Sequence, residues 1–518
     1  MRTTRYIASF ALAAWVALLG WSAGCGGGND STPDAGEGGA ASGSGGAGSG
    51  GGFVSYDGNI TGNGSHICSH DGNVCTNLCS GTTTTIKGKV FDPAGNNPVY
   101  NAAVWVPYTT PGPMPTGLTC NCSELYTGGF VGAYDLTKPD GSFTITGAPS
   151  ARTGGSVPIV VQVGKWRYQT RVAVTCGMEN DVPDKTLRLP QGRPGTGVMF
   201  PGDLPEIAVS TGGADTLECL LTRVGVDKQE YVHGPGTAGG GHVHIYQGSD
   251  PNAAPNTSPA APQSSAALWD SPAHLSQYDA VLLSCEGAET MKSNPANLYA
   301  YGQAGGRVFA SHYHYEWFLG APFPNFGIWY KQNSNQLATS HGVIQTTLPN
   351  GNPFYEGQSL LAFLQATGAV DAKNELLVYQ ARHNIDIPTG MPQVAIPWIN
   401  FDVASSPFED PNSTNDPLVS SSTLNSTLYF SYDTKAPGTE TTCGRFVYSD
   451  LHVGGNSGDY GESPMASSPP SGGVVPSGCN AGVALSPQEK ALEFMLFDLT
   501  SCLAPPGSGQ DAGQGVPQ

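Results

Sequence analysis

Tyr278-Asp-Ala-Val-Leu-Leu-Ser284, with Gly305-Gly-Arg-Val-Phe-Ala-Ser-His312 following it, decides how this chain folds. The first run reads as a buried-type strand, and Arg307 to Ser311 in the second reads as another. Between them Leu298 to Ala304 suits a helix, ended by Gly305-Gly306. Strand, helix, strand in that order implies a parallel sheet with helices on its faces.

The same alternation extends outward. Glu206-Ile-Ala-Val-Ser-Thr-Gly-Gly213 is a short apolar strand ending in glycines. Asp215 to Val224 carries apolar residues at 217, 220, 221 and 224, a helical period. Downstream, residues about 343–435 interrupt the pattern with β-rich segments: Glu375 to Tyr379, Gln393 to Phe401 and Thr427 to Tyr432. Arg445-Phe-Val-Tyr-Ser-Asp450 returns to the sheet. Ser486 to Asp498 closes the region as a helix, with Ser486 as N-cap, Pro487 at the first position and Glu489 completing a capping box. This α/β region spans 204–503, and 504–518 reads as a disordered tail.

In open parallel sheets, ligands bind beyond the carboxyl ends of the strands. Four such ends carry Ser210-Thr-Gly-Gly213, Ser284-Cys-Glu-Gly287, Ser311-His-Tyr-His-Tyr-Glu316 and Ser449-Asp-Leu-His452. Their convergence would gather Cys285, Glu286, His312, His314, Asp450 and His452, groups that do acid–base or covalent work when neighbours tune them. Plainer readings stand beside this one. Cys285 could be disulfide-bonded to Cys219 on the first helix. His312 and His314, two apart, would share a strand face, or sit hydrogen-bonded in an aromatic-rich core with Tyr313, Tyr315, Trp317 and Phe318. His242 and His244 would share a face as well, and a four-histidine zinc site is conceivable. No metal or cofactor is assigned. The glycine-rich run Gly234 to Gly241 lacks the lysine of a phosphate loop.

The order of these pieces resembles the class I glutamine amidotransferase-like superfamily, in particular its ThuA-like branch. The resemblance rests on Tyr278 to Ser284, Gly305 to His312 and Gly444-Arg-Phe-Val-Tyr-Ser-Asp-Leu-His452, and covers about 300 residues with a large insertion. Amidotransferases carry their nucleophilic cysteine at the end of the strand matched by Val308 to Ser311. No cysteine stands there, so the resemblance does not bring glutaminase chemistry with it. His312 and His452 match histidines of the ThuA-like pattern.

Upstream, residues 53–190 are of a different kind. After a cysteine-bearing segment (His66 to Cys79) the pattern is all β. Thr83 to Phe91 and Asn101 to Val106 read as strands. Pro139-Asp-Gly-Ser142 is a turn before Phe143-Thr-Ile145, and Val157 to Val163 with Trp166 to Val174 is a hairpin around Gly164-Lys165. Short strands between Gly/Pro/Asn turns indicate a β-sandwich. Ile86-Lys-Gly-Lys-Val, Asn101-Ala-Ala-Val-Trp-Val and Asp140-Gly-Ser-Phe-Thr-Ile resemble the carboxypeptidase regulatory-like domain, an accessory module that implies a structural or binding role. The stretch Pro107 to Val131 is longer than that pattern requires. Residues 191–203 read as a Gly/Pro linker. The resemblances imply a multidomain chain: a small all-β prealbumin-like sandwich, then an α/β flavodoxin-like parallel-sheet domain with a β-rich insertion.

The first 25 residues have the layout of a secretory signal. Arg2 and Arg5 precede an uncharged apolar run of 15 residues, Ile7 to Trp21. A bilayer span takes roughly 20. Ser22-Ala-Gly-Cys25 resembles a lipoprotein lipobox, with Ser22 where Leu is usual, and implies acylation of Cys25 and anchorage in a membrane. A soluble secreted protein cut nearby is the other reading. Residues 26–52, almost entirely Gly, Ser, Ala and Asp, would be a disordered tether. Of 12 cysteines, 11 remain besides Cys25, and in an exported chain they read first as disulfides. Those at 68, 75 and 79 have Cys120, Cys122 and Cys176 as natural partners. A net charge of −19 without a basic cluster argues against nucleic acid as partner. Two functions fit: a lipid-anchored envelope protein binding a glycan or small molecule, or a hydrolase-type or sugar-modifying enzyme using His312, His452 and a nearby carboxylate.

Overall fold

Alternation along the strands divides the largest sheet into two apolar faces, and both are covered. In the computed structural model, Ile207, Val209, Ala280, Leu282, Phe309 and Val447 belong to one core. Their chain neighbours Ala208, Val281, Leu283, Val308, Ala310, Phe446 and Tyr448 belong to another. Successive strand residues point to opposite faces, so each strand must be apolar throughout when both faces are dry. The structure describes residues 74–75, 83–107, 110–120, 125–126, 130–151, 155–235, 240–249, 263–330, 336–382, 384–388, 394–401, 427–452, 479 and 484–503. The signal segment with Cys25, the tether 26–52, most of the His66 to Cys79 segment and the tail 504–518 lie outside them.

The N-terminal part holds two main sheets, and a two-stranded piece in which Val74–Cys75 pairs with Ser150–Ala151. In the first, β1 (Thr85–Phe91) pairs antiparallel with Ser142–Thr146 and parallel with the short strands Glu179–Asp181 and Leu187–Arg188. The second sheet contains β2 (Ala103–Pro107), β3 (Phe130–Leu136), β4 (Ser156–Val163) and β5 (Trp166–Ala173), with Gly202–Asp203 on its edge. Ile86, Val90 and Phe143 of one sheet share a core with Val104, Val157, Ile159 and Val161 of the other. The β4–β5 hairpin turns at Gly164 and Lys165, as expected. A side chain at Gly164 would lie 1.9 Å from the Thr500 carbonyl, so the turn needs glycine for close approach to the last helix.

The large sheet has ten strands. The parallel part contains β6 (Ile207–Ser210), β7 (Tyr231–His233), β8 (Val243–Tyr246), β9 (Ala280–Leu283), β10 (Arg307–Ser311) and β15 (Thr442–Ser449). The antiparallel part contains β11 (Gln336–Ile344), β12 (Glu375–Arg382), β13 (Ile396–Phe401) and β14 (Thr427–Lys435). The order is β7-β8-β6-β9-β10-β15-β14-β13-β11-β12. Helices α1 (Leu217–Val224), α2 (Pro295–Gln303) and α3 (Tyr355–Ala366) flank it. The β-rich insertion therefore begins before residue 343, at Gln336, and includes a helix. Its strands continue the sheet antiparallel from β15.

Helix α4 (Pro487–Thr500) has the expected capping box, with the Ser486 and Glu489 side chains satisfying each other's backbone amides. Such a cap contributes about 1 kcal/mol. The helix is buried nearly all round, because it lies between the sandwich and the large sheet. Phe494 stacks on Tyr100 at 5.5 Å, and Phe497 meets Trp166 edge-on at 5.8 Å. Arg223 of α1 and Glu489 of α4 form an ion pair at 2.6 Å with no exposure. The 191–203 segment is pinned rather than free-running: the Gln191 amide donates to Phe200, and Arg193 pairs with Glu230. Among the described residues no helix is long and apolar enough to cross a membrane.

Two disulfides link distant parts of the chain. Cys120 pairs with Cys443 at the start of β15, and Cys219 pairs with Cys479. The expected Cys219–Cys285 bridge is thus corrected: α1 turns Cys219 toward the segment carrying Cys479, and Cys285 stays a buried thiol. Cys120 likewise bonds across to the large sheet instead of to the N-terminal cysteines. Cys176 is disulfide-bonded. These bonds belong to a chain that matures in an oxidising, extracytoplasmic setting.

Candidate functional site

Register aligns the four strand ends. Ser210 is opposite Leu283, Leu283 opposite Ala310, and Ser311 opposite Ser449. The residues one or two steps further therefore meet above the sheet edge. Gly212 makes this closeness tolerable, since a Cβ there would be 2.1 Å from the Cys285 carbonyl oxygen. The Ala214 amide donates to that same carbonyl at 3.0 Å.

Three of the six expected side chains come together. Cys285 Sγ lies 3.2 Å from His312 Nδ1. His452 packs edge-on against His312 with ring centroids 5.3 Å apart. One potential ligand atom from each of the three lies within 4.8 Å of the others, and all three residues are buried. Burial pushes the Cys285 thiol up to about 12, against the pull of the Tyr313 and Gly287 backbone amides. Burial, helped by the nearby Arg382 charge, pushes His452 down to about 3. Desolvation thus keeps the proton on Cys285 and leaves His452 uncharged.

His312 departs from the expected geometry. Instead of continuing β10, it opens a 3-10 turn, His312–Phe318, with φ +38°. A non-glycine residue in that region costs on the order of 1–3 kcal/mol and persists only where its surroundings over-determine it. His312 and His314 consequently do not share a strand face. His312 points to Cys285, whereas His314 Nε2 donates to the Ser284 carbonyl at 2.9 Å. Burial and the neighbouring Lys292 charge push His314 down to about 3.

Glu286 and Asp450 stand beside the cluster in separate networks. Glu286 pairs with Lys292 at 2.9 Å and accepts from the Ser249 amide at 2.8 Å. Burial would raise its pKa, but His314 and Lys292 outweigh that and hold it below the usual carboxylate range. Asp450 accepts from the Tyr448 hydroxyl at 2.8 Å and from the Asn384 amide at 3.3 Å. Sequence reasoning gave no site role to Asp215, which accepts from the Ser311 hydroxyl directly below His312. Its place just past a glycine-terminated strand was the available signal. Lys292 and Arg382 were missed as well, and neither carries a local motif.

The four-histidine arrangement is not formed. His242 and His244 lie at the amino end of β8, the opposite edge of the parallel strands. His242 Nδ1 is 2.6 Å from Glu230, and His244 Nε2 is 3.0 Å from the Gly241 carbonyl. That edge faces the sandwich and borders a cleft of about 480 Å³. Its charged lining is Lys165, Arg193, Asp203, Glu206, His242 and Asp279. Lys165, at the tip of the β4–β5 hairpin, reaches Asp279 at 2.6 Å and the Gly117 carbonyl at 2.7 Å. Burial raises the Asp279 pKa, with the Lys165 charge opposing it. A third group, His341 of β11 with Glu375 of β12 and Asp371 just before it, is a more exposed trio with metal-ligand atoms.

No protein-family model, curated protein or solved structure matches this chain.

Proposed function

We propose that this chain is an exported envelope protein, lipid-anchored through Cys25, that binds a small polar ligand in the seam between the β-sandwich and the amino edge of the large sheet. The observation that carries this reading is the 480 Å³ cavity with both signs of charge on its wall. A cavity of that size falls in the range of small-molecule sites, which use a few convergent polar groups for orientation. Carboxylates beside Lys165, Arg193 and His242 offer acceptors and donors to a hydroxyl-rich ligand such as an oligosaccharide. The likeness of the sandwich to a carboxypeptidase regulatory-like module, and of the large sheet to a ThuA-like, flavodoxin-like domain, fits a binding role on the cell surface.

Calorimetry of the mature protein against an oligosaccharide panel tests the reading. Binding is expected to weaken at least about tenfold in Asp203→Ala with Glu206→Ala, one to two lost charge-assisted hydrogen bonds. A panel with no binder, or affinity unaffected by both substitutions, sinks it. Mass spectrometry of the mature N-terminus should find a lipid-modified Cys25; an unmodified end at another residue removes the anchor.

The hydrolase-type reading keeps one specific support, the 3.2 Å contact between Cys285 and His312 beside His452. Turnover of a glycan substrate that disappears in His312→Ala and His452→Ala would move the function to the strand-end crevice.

A further inference from the structure

The strand-end cluster combines features that a purely structural core does not need. Cys285, His312 and His452 supply cysteine and histidine, the two residue types that structural and catalytic zinc sites use most, and they come from the ends of three adjacent strands. Both ring nitrogens of His452 lack a hydrogen-bond partner although the residue is 2% exposed. An unpaired buried imidazole loses the hydrogen bonds water would give it and gains none from the protein. Cys285 keeps its thiol in a chain whose neighbouring Cys219 is oxidised to a disulfide. His312 is held at φ +38°, the conformation that delivers its ring to Cys285.

We propose that Cys285, His312 and His452 form a binding site for a single zinc(II) ion. Two ligands of a tetrahedral zinc, one sulfur and one nitrogen, are about 3.5 Å apart given ordinary bond lengths. The Cys285–His312 separation of 3.2 Å is close to this, and a spread within 4.8 Å closes with small side-chain rotations. On binding, the Cys285 S–H proton leaves to solvent, and the thiolate and two neutral imidazoles each donate a lone pair. One negative ligand leaves a net charge of plus one, and the Asp215 carboxylate next to Ser311 offsets it. Three protein ligands leave a fourth position for water or a substrate oxygen, the arrangement of catalytic rather than structural zinc sites. The site is independent of the seam cavity, so either can fail without the other.

The experiment uses the full mature chain carrying His341→Ala, which removes the exposed His341–Asp371–Glu375 trio as a competing site. After chelator treatment and addition of zinc alone, metal analysis of the gel-filtered protein should give one zinc per chain. Cys285→Ser and His452→Ala, each checked for native circular dichroism, should bind at least about a hundredfold more weakly, the loss of one of three ligands. Cobalt(II) in place of zinc should give a thiolate-to-metal charge-transfer band. Should Cys285→Ser fail to fold, X-ray absorption at the zinc edge of the unsubstituted site decides, with one sulfur among nitrogen ligands expected. No zinc retained, zinc retained equally by folded Cys285→Ser, or a shell of nitrogen and oxygen only, would each overturn the proposal.

Discussion

The two edges of the parallel strands are built on opposite electrostatic principles. At the carboxyl edge, Cys285, His312 and His452 sit buried together, with carboxylates drawn off into Lys292 and Tyr448. At the amino edge, Lys165, Arg193, Glu206, His242 and Asp279 line a cavity, and the Lys165–Asp279 pair bridges it to the sandwich hairpin. A buried cluster of sulfur and imidazole groups suits donors with a lone pair to give; a charged, roomy seam suits a hydrated polar ligand. One sheet thereby carries two unlike candidate sites, and the rule for parallel sheets points only to the first.

The sharpest way to break this contrast is at the amino edge. Asp279→Ala strands Lys165, whose side chain is only 10% exposed. Removing one partner of a buried pair costs about 3–5 kcal/mol, and urea denaturation should show it. A loss under 1 kcal/mol would mean that the seam is wet and loosely joined. The carboxyl edge is probed by alkylation of Cys285 in chelator-treated native protein. With no side-chain exposure, it should react at least roughly a hundredfold more slowly than in urea, because reaction waits for local opening. Rapid labelling would show an open crevice and erase the difference between the edges.

The smallest effect concerns the Glu230–His242 pair. Burial works against both charges, yet their mutual hydrogen bond lowers the Glu230 pKa and raises that of His242. A lowered carboxylate contributes stability above its unfolded pKa and loses it as pH falls through the folded value. A raised imidazole contributes below its unfolded pKa and loses it as pH rises through the folded value. The pair is therefore strongest between the two ranges, around about pH 5 to 6. Glu230→Gln should destabilise by about 1–2 kcal/mol there and by less at about pH 9, where Arg193 alone still pairs with Glu230. A loss that does not change with pH would remove His242 from the account.

Much of this was legible in the residues. The apolar runs at Ala280–Leu283 and Arg307–Ser311, and the Ser486 capping box, are local signals whose meaning does not depend on distant chain. That four strand ends would meet followed from the same signals and the rule for parallel sheets. What was not legible depended on long-range choices. The partner of Cys219 is 260 residues away, beyond a Gly/Ser/Pro stretch without period. The turn at His312 has no glycine to announce it, so a strand with two-residue spacing was the natural expectation. The seam cavity needs the β4–β5 hairpin, the 113–117 stretch and the β8 start at once, and no single segment carries it.

The bridges Cys120–Cys443 and Cys219–Cys479 interleave along the sequence, each starting before the other has closed. A peptide bond cut anywhere between residues 120 and 479 falls inside one ring or both. A protease can therefore cut this chain once in any loop of that span and release nothing: the pieces travel as one molecule and separate only when a reductant opens the rings.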